Sequence, residues 1–194
     1  MTPLRMADIP KFTRSASYMV NIHWSYLERA IKGFKESDNF DMDPDFQREH
    51  VWDDEKRSKY IEFILQGGSS GMDILTNCPH YGSGHGDPEV RHMILVDGKQ
   101  RLESVRMFMR DELLVFGGHR KSDYTDHSQH IDLSFRFNWH VNDLPTREQI
   151  LSWYLDVNNG GIVHTQEELS RVRTLLDNER SRKSSRKPDI EISR

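Results

Sequence analysis

The chain has 194 residues, of which 35% are hydrophobic, 30% are charged and 10% are aromatic. This composition predicts one globular domain with a sizeable core and excludes a wholly disordered chain. The formal net charge of −4 excludes a uniformly basic nucleic-acid binder, so any contact with DNA has to use a local patch.

Cysteine usage and hydropathy bear on the compartment. Cys78 is the single cysteine, which excludes both an intramolecular disulfide and a cysteine-based zinc cluster. No apolar run approaches the roughly 18 residues of a membrane span, and the N-terminus lacks the hydrophobic core of a signal peptide. We therefore expect a soluble, cytoplasmic protein that does not bind a membrane.

The first third of the chain predicts two helices separated by an extended segment. Residues 1–20 predict an arm or a short strand. Helical spacing then connects four apolar residues, Trp24, Leu27, Ile31 and Phe34. Residues 39–46 alternate polar and apolar side chains, which is typical of a strand or an extended segment. Asp53 is a good N-cap for a second helix that ends at Gly67-Gly68.

The middle of the chain predicts mostly strands. Residues 76–91, rich in Gly, Pro and His, indicate a loop. The apolar run 93–96 predicts a buried strand, and the helix that follows places apolar residues on one face, namely Leu102, Val105 and Met109. A short strand is expected over 113–116, closed by Gly117-Gly118. Strict alternation predicts a half-buried strand carrying Ile131, Leu133, Phe135, Phe137 and Trp139.

Two capping boxes mark the C-terminal helices. Thr146 with Gln149 opens a helix through Tyr154, and Thr165 with Glu168 opens another through about residue 180. Between them, residues 158–161 read as a turn. Because helices and strands interleave, we expect an α+β (mixed α/β) fold in a single domain over residues 1–180. Residues 181–194 are polar and basic and predict a disordered tail.

The junction between the strand at 93–96 and the next helix carries the sequence Asp97-Gly98-Lys99-Gln100-Arg101. A glycine turn that opens a helix offers backbone N–H groups and the positive end of the helix dipole to an anion. The alternative is a tight turn with a solvated first helical turn. Lys99 and Arg101 oppose the dipole there, however, and a broken local rule hints at function.

Two further polar clusters stand out. Gln47-Arg48 is followed by Trp52, and Asn158-Asn159 is followed by Gly160-Gly161. Taken alone, the first is typical of a surface loop with a tryptophan anchor, and the second of an ordinary turn.

Together the three clusters resemble the N-terminal domain of the GmrSD type IV restriction endonucleases. That family carries the motifs QR…W, DGQQRL and N-x-G-G followed by a Glu-Leu helix start, in this order. The corresponding stretches here are Gln47-Arg48-x3-Trp52, Asp97–Leu102 with Lys99 where Gln is common, and Asn158–Gly161 leading to Glu168-Leu169. The likeness runs from about residue 20 to residue 180.

The resemblance implies a ParB/sulfiredoxin-like fold, a small mixed sheet flanked by helices, with the motifs around one pocket. In relatives this pocket binds or hydrolyses nucleoside triphosphates, or has been tied to DNA cleavage. By matching motif, Asp97, Gln100 and Arg101 would form the catalytic set. The binding set would lie around them and comprises Gln47, Arg48, Gly98, Lys99 and Asn158.

Elementary chemistry agrees with a phosphate ligand. Arg48 and Arg101 can make bidentate contacts with phosphate oxygens, and Lys99 adds a point charge. Asp97 could coordinate Mg²⁺, which commonly binds through one or two carboxylates together with phosphates and water. We therefore expect an NTP as substrate or ligand, Mg²⁺ as cofactor and DNA as partner.

The kind of function stays open at this point. An NTP-hydrolysing or phosphoryl-transfer enzyme acting on or near DNA is favoured, in a phage or defence setting. The alternatives are a metal-dependent DNA-nicking nuclease in the same pocket, a non-enzymatic DNA- or protein-binding adaptor, and a kinase acting on a modified base in DNA. Because the chain stops at Arg194, the HNH nuclease region of the restriction enzymes is not expected here.

A zinc site among Cys78, His80, His85 and His92 is conceivable, but the spacing matches no firm ligand pattern, so a polar loop is the favoured interpretation.

Overall fold

The computed structural model describes residues 18–47, 52–79, 81, 89–126, 131, 134–159 and 166–185. Four strands lie in this part of the chain: β1 (Tyr18–His23), β2 (Asp73–Asn77), β3 (Ile94–Asp97) and β4 (Arg136–Asn142). The α-helices are α1 (Leu27–Asp38), α2 (Asp54–Leu65), α3 (Lys99–Met109), α4 (Arg147–Asn159) and α5 (Gln166–Ser185). Short 3-10 helices occupy Trp24–Tyr26 and Lys121–Asp123.

The strands form one mixed sheet in the order β1-β4-β2-β3. The pairs β1–β4 and β2–β3 are antiparallel, whereas β2 and β4 run parallel. A register shift between Leu75 and Thr76 interrupts the β2–β3 ladder beside the end of β3. The predicted α+β fold is therefore confirmed.

Apolar side chains cover both faces of the sheet, and β3 contributes to both. Leu95 belongs to the larger core, which also contains buried residues of α1, α2, α3 and β4. Ile94 and Val96 belong to a second core formed with α4 and α5. The continuous apolar run of β3 follows from this burial, because a strand covered on both faces cannot alternate polar and apolar residues.

The first two helices form as the sequence predicts. Leu27 and Ile31 of α1 are buried, together with Trp24 in the preceding 3-10 helix. Asp53 caps α2 by accepting a hydrogen bond from the backbone N–H of Lys56 at 2.9 Å. At the other end, the backbone N–H of Gly68 donates to the carbonyl of Phe63 at 2.9 Å, which ends the helix.

Several predicted elements need correction. Strand β2 was not expected, and it takes up residues 76–77 of the predicted loop. Residues 113–116 form a turn with one bridge between Val115 and His119, not a strand. The predicted strand at 131–139 starts at Arg136 instead, because Ile131 and Ser134 are helical. Segment 39–46 makes a single bridge, from Asp41 to Ile94.

The C-terminal helices are longer than predicted. Helix α4 continues past Tyr154 to Asn159, so Asn158 and Asn159 are helical and do not begin a turn. The Thr146 hydroxyl accepts a hydrogen bond from the Gln149 backbone N–H at 3.3 Å, as an N-cap should. Helix α5 continues past residue 180 to Ser185. Residues 181–185 of the predicted disordered tail (181–194) are therefore helical. Residues 160–165, with the second predicted cap Thr165, and residues 186–194 lie outside the described residues.

None of the helices in the described part of the chain combines the length and the apolar character that crossing a membrane requires.

The cap of α2 can be tested directly. We expect Asp53→Ala to lower the free energy of unfolding by about 1 kcal/mol, because it removes the acceptor for the Lys56 N–H. Asp53→Asn keeps a side-chain oxygen at the same place and should lose much less. Urea denaturation of both variants measures the difference, and equal losses would contradict a capping role.

Candidate functional site at the junction of β3 and α3

The turn from β3 into α3 is made by one residue, Gly98, whose φ angle is +106°. A Cβ added there would lie 2.6 Å from Cδ1 of Ile74 and 3.4 Å from the carbonyl oxygen of Asp73. The helix begins immediately, with the Leu102 N–H donating to the Gly98 carbonyl at 2.8 Å. The glycine is therefore required by backbone conformation and by space, which brings Asp97, Lys99 and Arg101 into one turn.

A cleft of about 420 Å³ opens at this turn, a volume typical of small-molecule sites. We call it the junction cleft. Its walls come from the segments before and after α2, from α2 itself, from the β3–α3 turn and from the last turns of α4. The lining residues are Gln47, Trp52, Tyr60, Phe63, Ser70, Gly71, Asp97, Gly98, Lys99, Gln100, Arg101, Tyr154, Val157 and Asn158.

The cleft brings together the described members of the predicted site. Seven of these residues line it, namely Gln47, Asp97, Gly98, Lys99, Gln100, Arg101 and Asn158. The eighth, Arg48, lies outside the described residues. The described residues of the three sequence motifs are thus neighbours in space, while the chemical role of each residue stays a prediction.

Arg101 is held by two oxygens from different strands. Its Nη2 donates to Oδ2 of Asp97 at 2.5 Å and to the carbonyl oxygen of Asp73 at 2.9 Å. Its Nε is buried and has no hydrogen-bond partner within the described part of the chain. A buried, charged donor without an acceptor is costly, so an anion that reached this N–H would be stabilised by it.

Lys99 is the second cation of the cleft. Its side chain is only 10% exposed, and its Nζ forms an ion pair with the carboxylate of Asp43, which is 72% exposed. An ion pair with so exposed an acid contributes little free energy. A multiply charged anion in the cleft can therefore replace Asp43 at low cost.

Gln47 and Gln100 join the motifs to the sheet and to each other. The Gln47 amide donates to the carbonyls of Leu95 and Val96 at 3.1 and 2.6 Å, which fastens segment 39–47 along β3. The side-chain oxygen of the buried Gln100 accepts from the backbone N–H of Trp52 at 3.3 Å. These two predicted site residues thus position the walls of the cleft.

Helix α4 is fixed to the same segment. The ring of Tyr154 packs edge-on against Phe46, with centroids 5.2 Å apart, and Arg147 Nη2 contacts both carboxylate oxygens of Asp45 at 2.8 and 2.7 Å. Asn158 is buried and donates to the Tyr154 carbonyl at 2.6 Å, one turn earlier in its own helix. The α4 wall is therefore coupled to the segment that carries Gln47.

A polar group on the sheet adjoins the cleft. Oδ1 of Asp73 contacts Nε2 of His140 at 2.8 Å and Nδ2 of Asn138 at 3.2 Å. Burial raises the pKa of the Asp73 carboxyl, but the hydrogen bonds from His140 and Asn138 outweigh it, and the pKa ends below its usual value. Asp73 therefore remains an anion whose backbone carbonyl receives Arg101.

Comparison with protein families decides where the chain belongs. The model of the GmrSD restriction endonuclease N-terminal domain matches residues 28–189. The chain belongs to this family. Neither the comparison with curated proteins nor the comparison with solved structures found a match. The family connects the domain with DNA restriction, and the ParB/sulfiredoxin-like relationship stays a prediction.

Tyr60, Phe63 and Gly71 are among the cleft residues of this GmrSD-family domain that were not predicted as site residues. Burial raises the pKa of Tyr60, so its hydroxyl stays protonated and donates to the Gly71 carbonyl at 2.8 Å. Gly71, with φ +75°, lies between the Tyr60 ring and the Arg101 side chain. Phe63 is 47% exposed. Of these, Phe63 alone left a signal, as a large apolar residue on α2 beside the buried Ile61 and Ile64.

A dedicated metal centre is not present in the part of the chain that the structure describes, where no group of three or more His, Cys, Asp or Glu side chains is suited to hold an ion. Cys78 is buried, and its Sγ contacts Oδ1 of Asp38 at 3.8 Å. His80 and His85 of the conceivable zinc site lie outside the described residues.

The demand for glycine at the junction is testable with a matched pair. We expect Gly98→Ala to destabilise the fold by about 1–3 kcal/mol, because the backbone conformation is strained for alanine and Ile74 has to move. Gly33→Ala, on the open face of α1 with no atom within 4 Å of the added Cβ, should instead stabilise by roughly 0.5–1 kcal/mol. Denaturant unfolding of both variants gives the sign of each change in the free energy of unfolding. An unchanged stability of Gly98→Ala would contradict the requirement for glycine at this position.

Proposed function

We propose that this GmrSD-family domain binds a nucleoside triphosphate in the junction cleft and hydrolyses it or transfers its terminal phosphoryl group, in the service of DNA restriction. The observation that carries the proposal is that two cations, Lys99 and Arg101, line a cleft at the first turn of α3, where the Arg101 Nε has no hydrogen-bond partner among the described residues. Together they offer charge-assisted donors to phosphate oxygens. The family assignment supports the DNA context.

The cleft chemistry favours a polyphosphate over a neutral ligand. Two cations and one carboxylate are the charged groups among its described lining residues, within a chain of net charge −4. Both cations are largely withdrawn from water, with 10% of the Lys99 side chain and 23% of the Arg101 side chain exposed. Their attraction for an anion is consequently screened less than on an open surface.

Mg²⁺ fits this site as a companion of the phosphates. Asp97 is the acidic side chain that lines the described cleft, and it is occupied by Arg101 at 2.5 Å. Mg²⁺ usually keeps several waters and binds through one or two carboxylates plus substrate phosphates, so one aspartate suffices. In this proposal Asp97 would hold the ion once phosphate oxygens take over the guanidinium of Arg101.

A DNA-nicking nuclease in the same cleft has less support. Nuclease centres with two metal ions need several acidic ligands a few ångströms apart, and among the described lining residues the acidic side chain is Asp97. The adaptor alternative uses the predicted basic tail, of which residues 181–185 belong to α5 and residues 186–194 lie outside the described part of the chain. A base kinase would need the same nucleotide site and is a narrower form of the proposal.

Arg101 provides the first test. We expect Arg101→Ala to weaken nucleotide binding on the order of tenfold or more, because a charge-assisted donor is lost, and to abolish phosphate release. Arg101→Lys keeps the positive charge but lacks the planar guanidinium. It should bind nucleotide more weakly than the unmodified chain and more tightly than Arg101→Ala. Calorimetric titration with Mg²⁺ and each common NTP, with a phosphate-release assay, measures both effects.

The control for this test is Arg110→Ala, which removes an arginine at the far end of the same helix that pairs with Glu112 outside the cleft. Melting temperatures of all variants show that the fold persists. If Arg101→Ala binds and turns over nucleotide like the unmodified chain, the proposed site is wrong.

Asp97 provides a second, independent test. Asp97→Asn keeps the shape of the side chain and removes its charge. We expect NTP turnover to fall by at least tenfold and to lose its dependence on Mg²⁺, while metal-free nucleotide binding is retained or strengthened because Arg101 loses its competing anion. Turnover measured across a Mg²⁺ series decides this, and an unchanged Mg²⁺ dependence would exclude Asp97 as a ligand.

A further inference from the structure

An exposed aromatic ring lies at the edge of the junction cleft, in contrast to the half-buried Trp52 and Tyr60 and the buried Tyr154 that also line it. Phe63 is 47% exposed although it lines the cleft, whereas the Trp52 and Tyr60 rings are packed edge-on with centroids 5.6 Å apart. Phe63 takes part in none of the described aromatic pairs. Part of its apolar ring is therefore exposed to water, which is less favourable in free energy than burying the ring would be.

The backbone next to Phe63 is adapted to its ring. A Cβ on Gly68 would lie 2.4–2.6 Å from three carbon atoms of the Phe63 ring, so the glycine lets the ring lie directly against the main chain. The carbonyl of Phe63 also accepts the hydrogen bond from the Gly68 N–H that ends α2. The Phe63 ring therefore packs against the main chain of the turn that ends α2.

The position of Phe63 relative to the cations is set by α2. Gly71 lies between the Arg101 side chain and the Tyr60 ring, with contacts of 3.5 and 3.4 Å to an added Cβ. Phe63 follows Tyr60 by three residues in the same helix, so the two side chains are neighbours on one helical face. Because Phe63 lines the same cleft as Arg101 and Lys99, a ligand whose phosphates contact these cations has room to extend past Gly71 and Tyr60 towards Phe63.

We infer that Phe63 is the platform on which the base of the nucleotide stacks. This inference rests on the proposed function and adds the orientation of the ligand, with phosphates at the β3–α3 turn and the base at α2. Stacking on an aromatic ring depends little on which base is bound, because every base has a π-face. Phe63 strengthens the binding of all four common NTPs to a similar degree and does not select among them.

The experiment compares a nucleotide with its phosphate chain alone. ATP and inorganic tripolyphosphate, each with Mg²⁺, are titrated calorimetrically against the full chain and against three variants, Phe63→Ala, Phe63→Trp and Phe116→Ala. Phe116 is an equally apolar, 41% exposed phenylalanine that does not line the cleft, so its loss controls for a general surface effect.

We expect Phe63→Ala to weaken ATP binding by roughly five- to a hundredfold and to leave tripolyphosphate binding unchanged, since stacking acts on the base alone. Phe63→Trp should retain ATP binding, and Phe116→Ala should change neither ligand. Equal weakening of both ligands, or no weakening of either, overturns the inference. If the unmodified chain binds neither ligand, the proposed function itself fails. If it binds both equally, the phosphate site stands and the base platform is wrong.

Discussion

The change of direction at Gly98 is the constraint on which the site depends. A strand buried on both faces has to become a helix within one residue, and the positive φ of Gly98 makes this possible. The closeness of Ile74 and of the Asp73 carbonyl leaves no room for a side chain at this point. The same geometry directs Arg101 back over the end of the sheet, where it bridges Asp97 and the main chain of β2.

The remaining walls are assembled around this turn by contacts distant in sequence. The Gln47 amide binds the edge of β3, and the Trp52 N–H binds the Gln100 side chain, so the first motif lies against the second. The third motif arrives through α4, which Phe46 and Asp45 hold by ring packing and by an ion pair. The motif residues Gln47, Gln100 and Asn158 thus form hydrogen bonds within the protein that position the walls of the cleft.

The sequence contains the local signals of this architecture but few of the long-range ones. Asp53, the two glycines after α2 and the helical spacing from Trp24 predict the first helices because caps and amphipathic stripes depend on neighbouring residues. Strand β2 was missed because its five residues closely follow the glycine-rich segment 67–71, and its pairing with β3 and β4 depends on tertiary structure. Similarly, the alternation that starts at Ile131 overstated the length of β4, since Ile131 and Ser134 are helical and the strand begins at Arg136.

The site, too, has residues that local sequence signals predict and residues that only tertiary packing brings to the cleft. The charged turn at Asp97–Arg101 could be recognised because Lys and Arg at a helix start oppose the dipole. Its association with Gln47 and Asn158 came from the family pattern and not from any local rule. Phe63, Tyr60 and Gly71 could not be placed in advance, because only the packing of α2 against α3 brings them to the cleft. Asn158 was expected in a turn, whereas its amide is used within α4.

The carboxylates of Asp43 and Asp97, which pair with Lys99 and Arg101, influence which anions can bind in the cleft. With the cleft empty, Asp97 and Asp43 act as resident counter-ions for Arg101 and Lys99, so neither cation faces the other uncompensated. An anion of one charge that displaces a carboxylate only exchanges one ion pair for another. A chain of linked phosphates brings several charges in a single molecule and can displace both carboxylates at once. For the proposed function, this pairing favours a ligand that carries several linked charges over chloride, acetate and other simple anions.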